Sequence, residues 1–223
     1  MQWKPEQERY RAGPEARANM IRSAIIEKAE ALVATLYRER IPSWARYHTL
    51  EHTREVVAAC VEIGTGMTLT DEEMEIIVLA AWFHDAGYLE GADEHEARSA
   101  VIAEDFLRKQ GYPAPRIPLV KGCIAATRIP QRPTTALERI VCDADLMYIG
   151  GPRFKEHSDA LRDEWQTRMG IIYGEVEWLQ KNIEFVGSCE FHTGFVRRTY
   201  GAMRSRNLSH LYELLDHAGS GNR

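Results

Sequence analysis

The stretch TDEEMEIIVLAAWFHDAGY, residues 70–88, decides the fold. Thr70 followed by Glu73 at the third helical position is a capping box, so a helix starts here. From Met74 to Phe83 the segment is apolar almost all round, and such a helix is covered on every side at the centre of a protein. It stops at His84-Asp85. Burying an ionisable pair at the end of an apolar helix is costly unless something binds it. Adjacent helical residues point about 100° apart, so the two side chains converge best on an ion near the helix end. Imidazole nitrogen and carboxylate oxygen are both suitable ligands for a divalent cation. Taken alone, the dipeptide is better read as a solvated His beside an Asp at a helix terminus.

Outward from this segment the periodicity stays helical. A helix is expected from about Pro14 to Arg38, with Ile21, Ile25, Leu32, Val33 and Leu36 on one face. A second begins near Thr49 and breaks at Gly64–Gly66; a fourth spans about Asp93 to Gln110, and a fifth about Ile117 to Thr127. Pro130 and Pro133 mark a loop before a sixth helix from about Thr135 to Tyr148. Gly150-Gly151-Pro152 is the strongest boundary signal, and about three more helices follow it. No stretch alternates with period two and no repeat is found, so the chain reads as all-α.

The 223 residues, 44% hydrophobic and 27% charged, suit one substantial helical core. A net charge of −5 argues against a nucleic-acid surface, though an acidic protein can still carry a locally positive cleft. Cys60, Cys123, Cys142 and Cys189 have neither zinc-knuckle nor redox spacing and read as small buried residues in a reducing compartment. The first twenty residues are polar and charged, unlike a secretory signal, and no window has the about 18–20 apolar residues of a membrane span. A soluble, cytoplasmic protein is expected.

The context of His84-Asp85 changes its reading. Thirty-two residues earlier, in YHTLEHTREVV, stands His52; about sixty residues later VCDADLMYIG sets Asp143 and Asp145 into an apolar segment. A buried acid there needs a cation or donors. One helix giving His, the next His-Asp and a later one Asp make a His₂Asp₂ cage with positions left for water and substrate.

These residues resemble the HD superfamily of metal-dependent phosphohydrolases, whose pattern is H…HD…D with the first His in an HxxxV context. The resemblance covers about Tyr47 to Gly150. It implies an HD-domain helical bundle with additional N- and C-terminal helices: an N-terminal helical extension at 1–46, the HD core at 47–150, and C-terminal helices at 151–223 packed on the core as one compact unit. It implies the ligand set His52, His84, Asp85 and Asp145. Family members place the ligand Asp before an apolar or Arg-Leu step, which selects Asp145 and leaves Asp143 as a supporting or capping group.

Further candidates surround this set. His48 lies four residues before His52 and shares its face if both are helical. Tyr47-His48…His52 is similar to the YHNxxH element of cyclic-nucleotide phosphodiesterases, which implies a proton donor, although Thr49 replaces the Asn; a His capping the helix start is the equal alternative. His95 and Glu96 in DEHEARSA look like the HExxSA element of many family members. There His95 binds a second metal or a phosphate, or else these residues simply solvate a first helical turn. Lys121, Thr127 and Arg128 are candidate phosphate donors near the mouth of a cleft, against the reading of Arg128 as a cation on a helix dipole. Phe191-His192-Thr193 and Arg197-Arg198 are further candidates to reach the cleft, but for them the surface reading is preferred.

The function implied is hydrolysis of a phosphoester by a metal-activated water, with Asp85 in the catalytic centre and His48, His95 and Glu96 beside it. The ligand set fits Mn, Fe, Co, Ni or Zn better than Mg, which still supports activity. The implied partner is a small phosphorylated substrate, a nucleotide first of all, with a homodimer as a candidate assembly. His84-Asp85-Ala86-Gly87-Tyr88 lacks the acid of an HDxxE nucleotidase and the Lys of HD-GYP enzymes, so neither subtype is indicated. Two rival classes remain: an HD-type di-iron oxygenase, and a catalytically silent nucleotide-binding regulatory module.

Overall fold

A computed structural model describes residues 23–220, and among these there is no strand. The helices are α1 (Ala24–Arg40), α2 (Leu50–Gly66), α3 (Asp71–Phe83), α4 (His95–Lys109), α5 (Ile117–Ala126), α6 (Ala136–Leu146), α7 (Phe154–Met169), α8 (Glu175–Ser188) and α9 (Gly194–Ser220). Short 3-10 turns occupy Ala86–Glu90, Ala114–Arg116 and Met147–Gly150. The part of the first expected helix before residue 23 lies outside the described residues. The sixth expected helix ends at Leu146, and its last residues belong to the following 3-10 turn.

α3 is the axis of the fold. Every residue from Met74 to Phe83 except Glu75 is buried, and α1, α2, α5 and α6 pack around it. Its start is fixed by the capping box: the Thr70 amide donates to Glu73 Oε2 at 2.9 Å and the Glu73 amide to Thr70 Oγ1 at 3.3 Å. α6 opens with a second capping box, Thr135 with Glu138. α9 lies against the Met147–Gly150 turn and α8, which ties the C-terminal helices to the core.

Two local devices carry the chain from α3 to α4. His84 keeps helical angles, φ −53 and ψ −38, whereas Asp85 leaves the helix at φ −106 and ψ 6. The turn that follows is pinned to α4: the Gly87 amide donates to Ser99 Oγ at 2.8 Å, and Arg98 Nε donates to the Gly87 carbonyl at 3.1 Å. The Arg98 guanidinium also takes the carbonyls of Gly91 and Asp93. Glu94, at φ 52, then turns the chain so that α4 starts with His95.

The closeness of turn and helix depends on residue 87 having no side chain. A Cβ there would stand 2.3 Å from the His95 carbonyl oxygen and 2.7 Å from the Ser99 amide, both backbone atoms that cannot step aside alone. Gly87→Ala is therefore expected to destabilise the protein by about 2 kcal/mol or more, a fall of about 4–8 °C in Tm. An unchanged melting curve would contradict this packing.

Candidate metal centre

The end of α3 brings its two ionisable residues to the first turn of α2 and the last turn of α6. His84 Nε2 stands 3.4 Å from His52 Nε2 and 3.1 Å from Asp85 Oδ2, and His52 Nε2 is 3.5 Å from the same carboxylate oxygen. Asp145 Oδ1 lies 3.4 Å from His52 Nε2 and 3.6 Å from His84 Nε2. Donor atoms that share an ion at about 2.1 Å and near-right angles stand about 3 Å apart, which is the scale of this cluster. His52, His84 and Asp85 are close enough to form a three-residue cation site by themselves, while Asp145 approaches the two imidazoles from beyond that triangle.

Hydrogen bonding sets which ring nitrogen faces the cluster. His84 Nδ1 is 2.8 Å from the Ala81 carbonyl, a donor contact that commits Nε2 to the centre. His95 repeats the device, with Nδ1 2.8 Å from the Ala92 carbonyl and Nε2 3.3 Å from Asp85 Oδ1. Asp85 thus offers Oδ2 to the histidine pair and Oδ1 to His95, and Glu96 Oε1 lies 3.6 Å from the same His95 nitrogen.

The electrostatics are those of a site built for positive charge. Asp85 Oδ2 is buried and has no hydrogen-bond donor of its own. Burial disfavours a charged imidazole at His84, yet the neighbouring Asp85 outweighs it and holds the pKa up at about 9. Burial likewise works against the Asp85 carboxylate, but His84 beside it holds it well below the usual range. His95 is also raised, its desolvation overcome by Asp85. A divalent ion among these donors would supply positive charge beside Asp85 and take the place of the His84 proton.

The two acids of DADL part company. Asp143 turns away from the cluster, accepting the His192 amide at 2.6 Å and the Thr193 amide at 2.8 Å, and so holds the start of α9. Burial raises its pKa in spite of those donors. The expectation that Phe191-His192-Thr193 is surface is overturned here: Phe191 and Thr193 are 5% and 4% exposed because they form this junction.

Of the remaining candidates, His48 stands beside the centre, its ring 6.1 Å from both His52 and His95 between centroids. Its Nδ1 is 2.5 Å from Glu164 Oε1. Lys121 is instead ion-paired with Glu104 of α4, Thr127 is buried and donates its hydroxyl to the Ile124 carbonyl at 2.8 Å, and Arg128 is exposed. None of the three lines the cavity of about 300 Å³ that opens on His52 and Asp145; Arg153, paired with Glu55, is its one guanidinium, and Glu62, His157, Tyr148 and Tyr200 are its other polar side chains.

Sequence reasoning did not single out Glu164, Tyr88 or Arg153. Glu164 has no exposed surface, and its carboxylate stays ionised with a pKa of about 2: burial opposes this, and the His48 hydrogen bond and charge prevail. A Glu spaced among other charged residues of an amphipathic helix gives no sign of such burial. Tyr88 carried a weak signal, since it closes the HDAGY turn, where its ring stacks on His48 at 3.9 Å and 19°.

The HD domain family matches residues 49–147. Two solved structures share the fold. One, described as a predicted HD superfamily hydrolase from an uncultured Thermotogales bacterium, is 16% identical with a TM-score of 0.57, over 88% of this chain and 92% of that one. The other, a structural-genomics protein from Lactobacillus plantarum, is 12% identical with a TM-score of 0.62, over 90% and 98%. No curated protein gives a significant match. Among the described residues no helix is long and apolar enough to cross a membrane.

The geometry places Asp145 beside the imidazoles and Asp143 on the amides before α9. Asp145→Asn is expected to weaken divalent-ion binding at least about tenfold, whereas Asp143→Asn keeps the ion and lowers thermal stability by about 1–3 kcal/mol. Ion content after dialysis and melting curves of the two variants check this, and the reverse pattern would exchange their assignments.

Proposed function

This chain belongs to the HD superfamily through its domain at residues 49–147, and from that premise we propose that it hydrolyses a small phosphate ester, in the first place a nucleotide, at a divalent-ion centre. One observation carries the reading: two imidazole nitrogens and two carboxylates meet within 3.1–3.6 Å at the end of an apolar helix, with a buried Asp85 oxygen left without a donor. His52, His84, Asp85 and Asp145 would hold the ion. When bound, a divalent ion supplies Lewis acidity toward a phosphoryl oxygen and makes a nucleophile of water near neutral pH. Mn, Fe, Co, Ni or Zn suits this mixed N/O set, and Mg can serve.

The chain's own residues supply the rest. The cavity beside His52 and Asp145 admits the ester, with Arg153 at its rim as a guanidinium able to take a phosphoryl oxygen in exchange for Glu55. His95 keeps Asp85 Oδ1 in place from the far side of the carboxylate. With Nδ1 held by Glu164 and its ring 6.1 Å from those of His52 and His95, a doubly protonated His48 passes its Nε2 proton to the departing oxygen.

A second reading has one observation in its favour. His95, Asp85 Oδ1 and Glu96 form an adjoining donor set at 3.3 and 3.6 Å, which suits a second ion and keeps a two-iron oxygenase in view. Two ions per chain, visible absorbance and oxygen uptake would favour it over hydrolysis with one.

The test is phosphate release from phosphomonoesters and diesters by protein loaded in turn with Mn, Co, Ni, Zn and Mg. His48→Ala is expected to retain the ion and to lose about 100-fold or more in kcat. Loss of the ion in that variant would refute a proton-transfer role, and no release with any ion or ester would refute the hydrolase.

A further inference from the structure

Glu164 lies on α7, outside the 49–147 match, and reaches back to the segment just before α2. Its carboxylate gathers five donors. Oε2 accepts the amides of Arg46, Tyr47 and His48 at 2.9, 2.9 and 3.0 Å. Oε1 accepts from the His48 ring at 2.5 Å and from the Tyr88 hydroxyl at 2.6 Å. Among the described residues no Lys or Arg is paired with it, so the carboxylate is held by hydrogen bonds and the imidazole alone.

A carboxylate is a costly way to tie down three amides in the interior of a protein. A loop anchor would need only Oε2. The other oxygen is committed to two side chains, and both belong to the surroundings of the metal centre. An ionised carboxylate only accepts, so His48 Nδ1 must carry a hydrogen. The Nε2 atom then keeps its lone pair in the neutral ring, or bears the second proton in the cation. Tyr88 closes the arrangement: its ring covers one face of the imidazole while its hydroxyl shares the same carboxylate oxygen. Backbone, ring plane and ring tautomer of His48 are thereby fixed by one acid.

We propose that Glu164 is the positioning residue for His48, holding the Nδ1–H tautomer with Nε2 turned to the metal centre, and that Tyr88 is the second jaw of this clamp. The active site then extends beyond the HD domain onto α7. The effect on turnover rests on the hydrolase reading above; the tautomer does not.

Glu164→Gln is the informative change. The Gln oxygen can still accept the three amides, but its NH₂ would then face Nδ1 and donate, which demands the opposite tautomer and prevents the doubly protonated ring that proton donation from Nε2 needs. In the metal-loaded protein, kcat is expected to fall about 100-fold or more with KM changed less than about threefold and ion content unchanged. The second readout is ¹⁵N NMR of the zinc-loaded full chain, with the His48 ring signals assigned by their loss in His48→Gln. Wild type should show hydrogen on Nδ1, and Glu164→Gln hydrogen on Nε2. A wild-type ring with hydrogen on Nε2 and none on Nδ1 overturns the proposal without any variant, which keeps it testable if Glu164→Gln does not fold. A Glu164→Gln protein with unaltered kcat or unaltered tautomer also overturns it. If no phosphoester is cleaved by wild type, the hydrolase reading fails, and the tautomer alone decides the role of Glu164: hydrogen on Nδ1 upholds it and a bare Nδ1 ends it.

Discussion

Everything in this structure is arranged around a carboxylate that has no adequate partner within the protein. Asp85 is 3% exposed, one of its oxygens has no donor, and the charges nearest to it are histidines whose protons the carboxylate itself holds in place. An isolated buried carboxylate would cost several kcal/mol. The protein surrounds it with His52, His84 and His95 and a second acid, Asp145, rather than with Lys or Arg. Adding another carboxylate worsens the balance unless a cation of charge two stands between them. A divalent ion would resolve the conflict, and the apolar body of α3 would then serve as a low-dielectric wall that strengthens its hold.

Precision at such a centre comes from helix ends. His84, the residue after α3, still has helical angles and Asp85 is the first without them, so neighbours that would diverge on a continuing helix can meet. Backbone carbonyls of Ala81 and Ala92 commit the Nε2 atoms of His84 and His95 inward. The turn between them is stapled to α4 by Ser99 and Arg98. These supports sit on rigid elements, which is what a site needs to keep its donors within a few tenths of an ångström.

Much of this was legible in the residues. The capping box at Thr70, the uniformly apolar body of α3 and the breaks at Gly64–Gly66 and Gly150–Pro152 gave the helical order, because these are local signals. The H…HD…D order pointed to the cluster because each candidate ligand stands at a marked place: His52 beside a helix start, His84-Asp85 at a helix stop, Asp145 in an otherwise apolar run. Long-range pairing left no such mark. Glu164 is spaced like a surface acid, and only the fold shows it facing Arg46 to His48 from more than a hundred residues away. Lys121 and Arg128 had the right chemistry for a phosphate, but Lys121 meets Glu104 and the cavity takes Arg153 instead. Which partner a surface cation finds depends on helix packing, and the sequence pattern does not encode it locally.

The most direct test of the central claim is anomalous diffraction at the absorption edge of the ion carried by crystals of the full chain. The account predicts a single strong peak per chain within about 2.0–2.3 Å of His52 Nε2, His84 Nε2 and oxygens of Asp85 and Asp145. A protein that takes up no divalent ion, or a peak ligated elsewhere with these four side chains left empty, would contradict it.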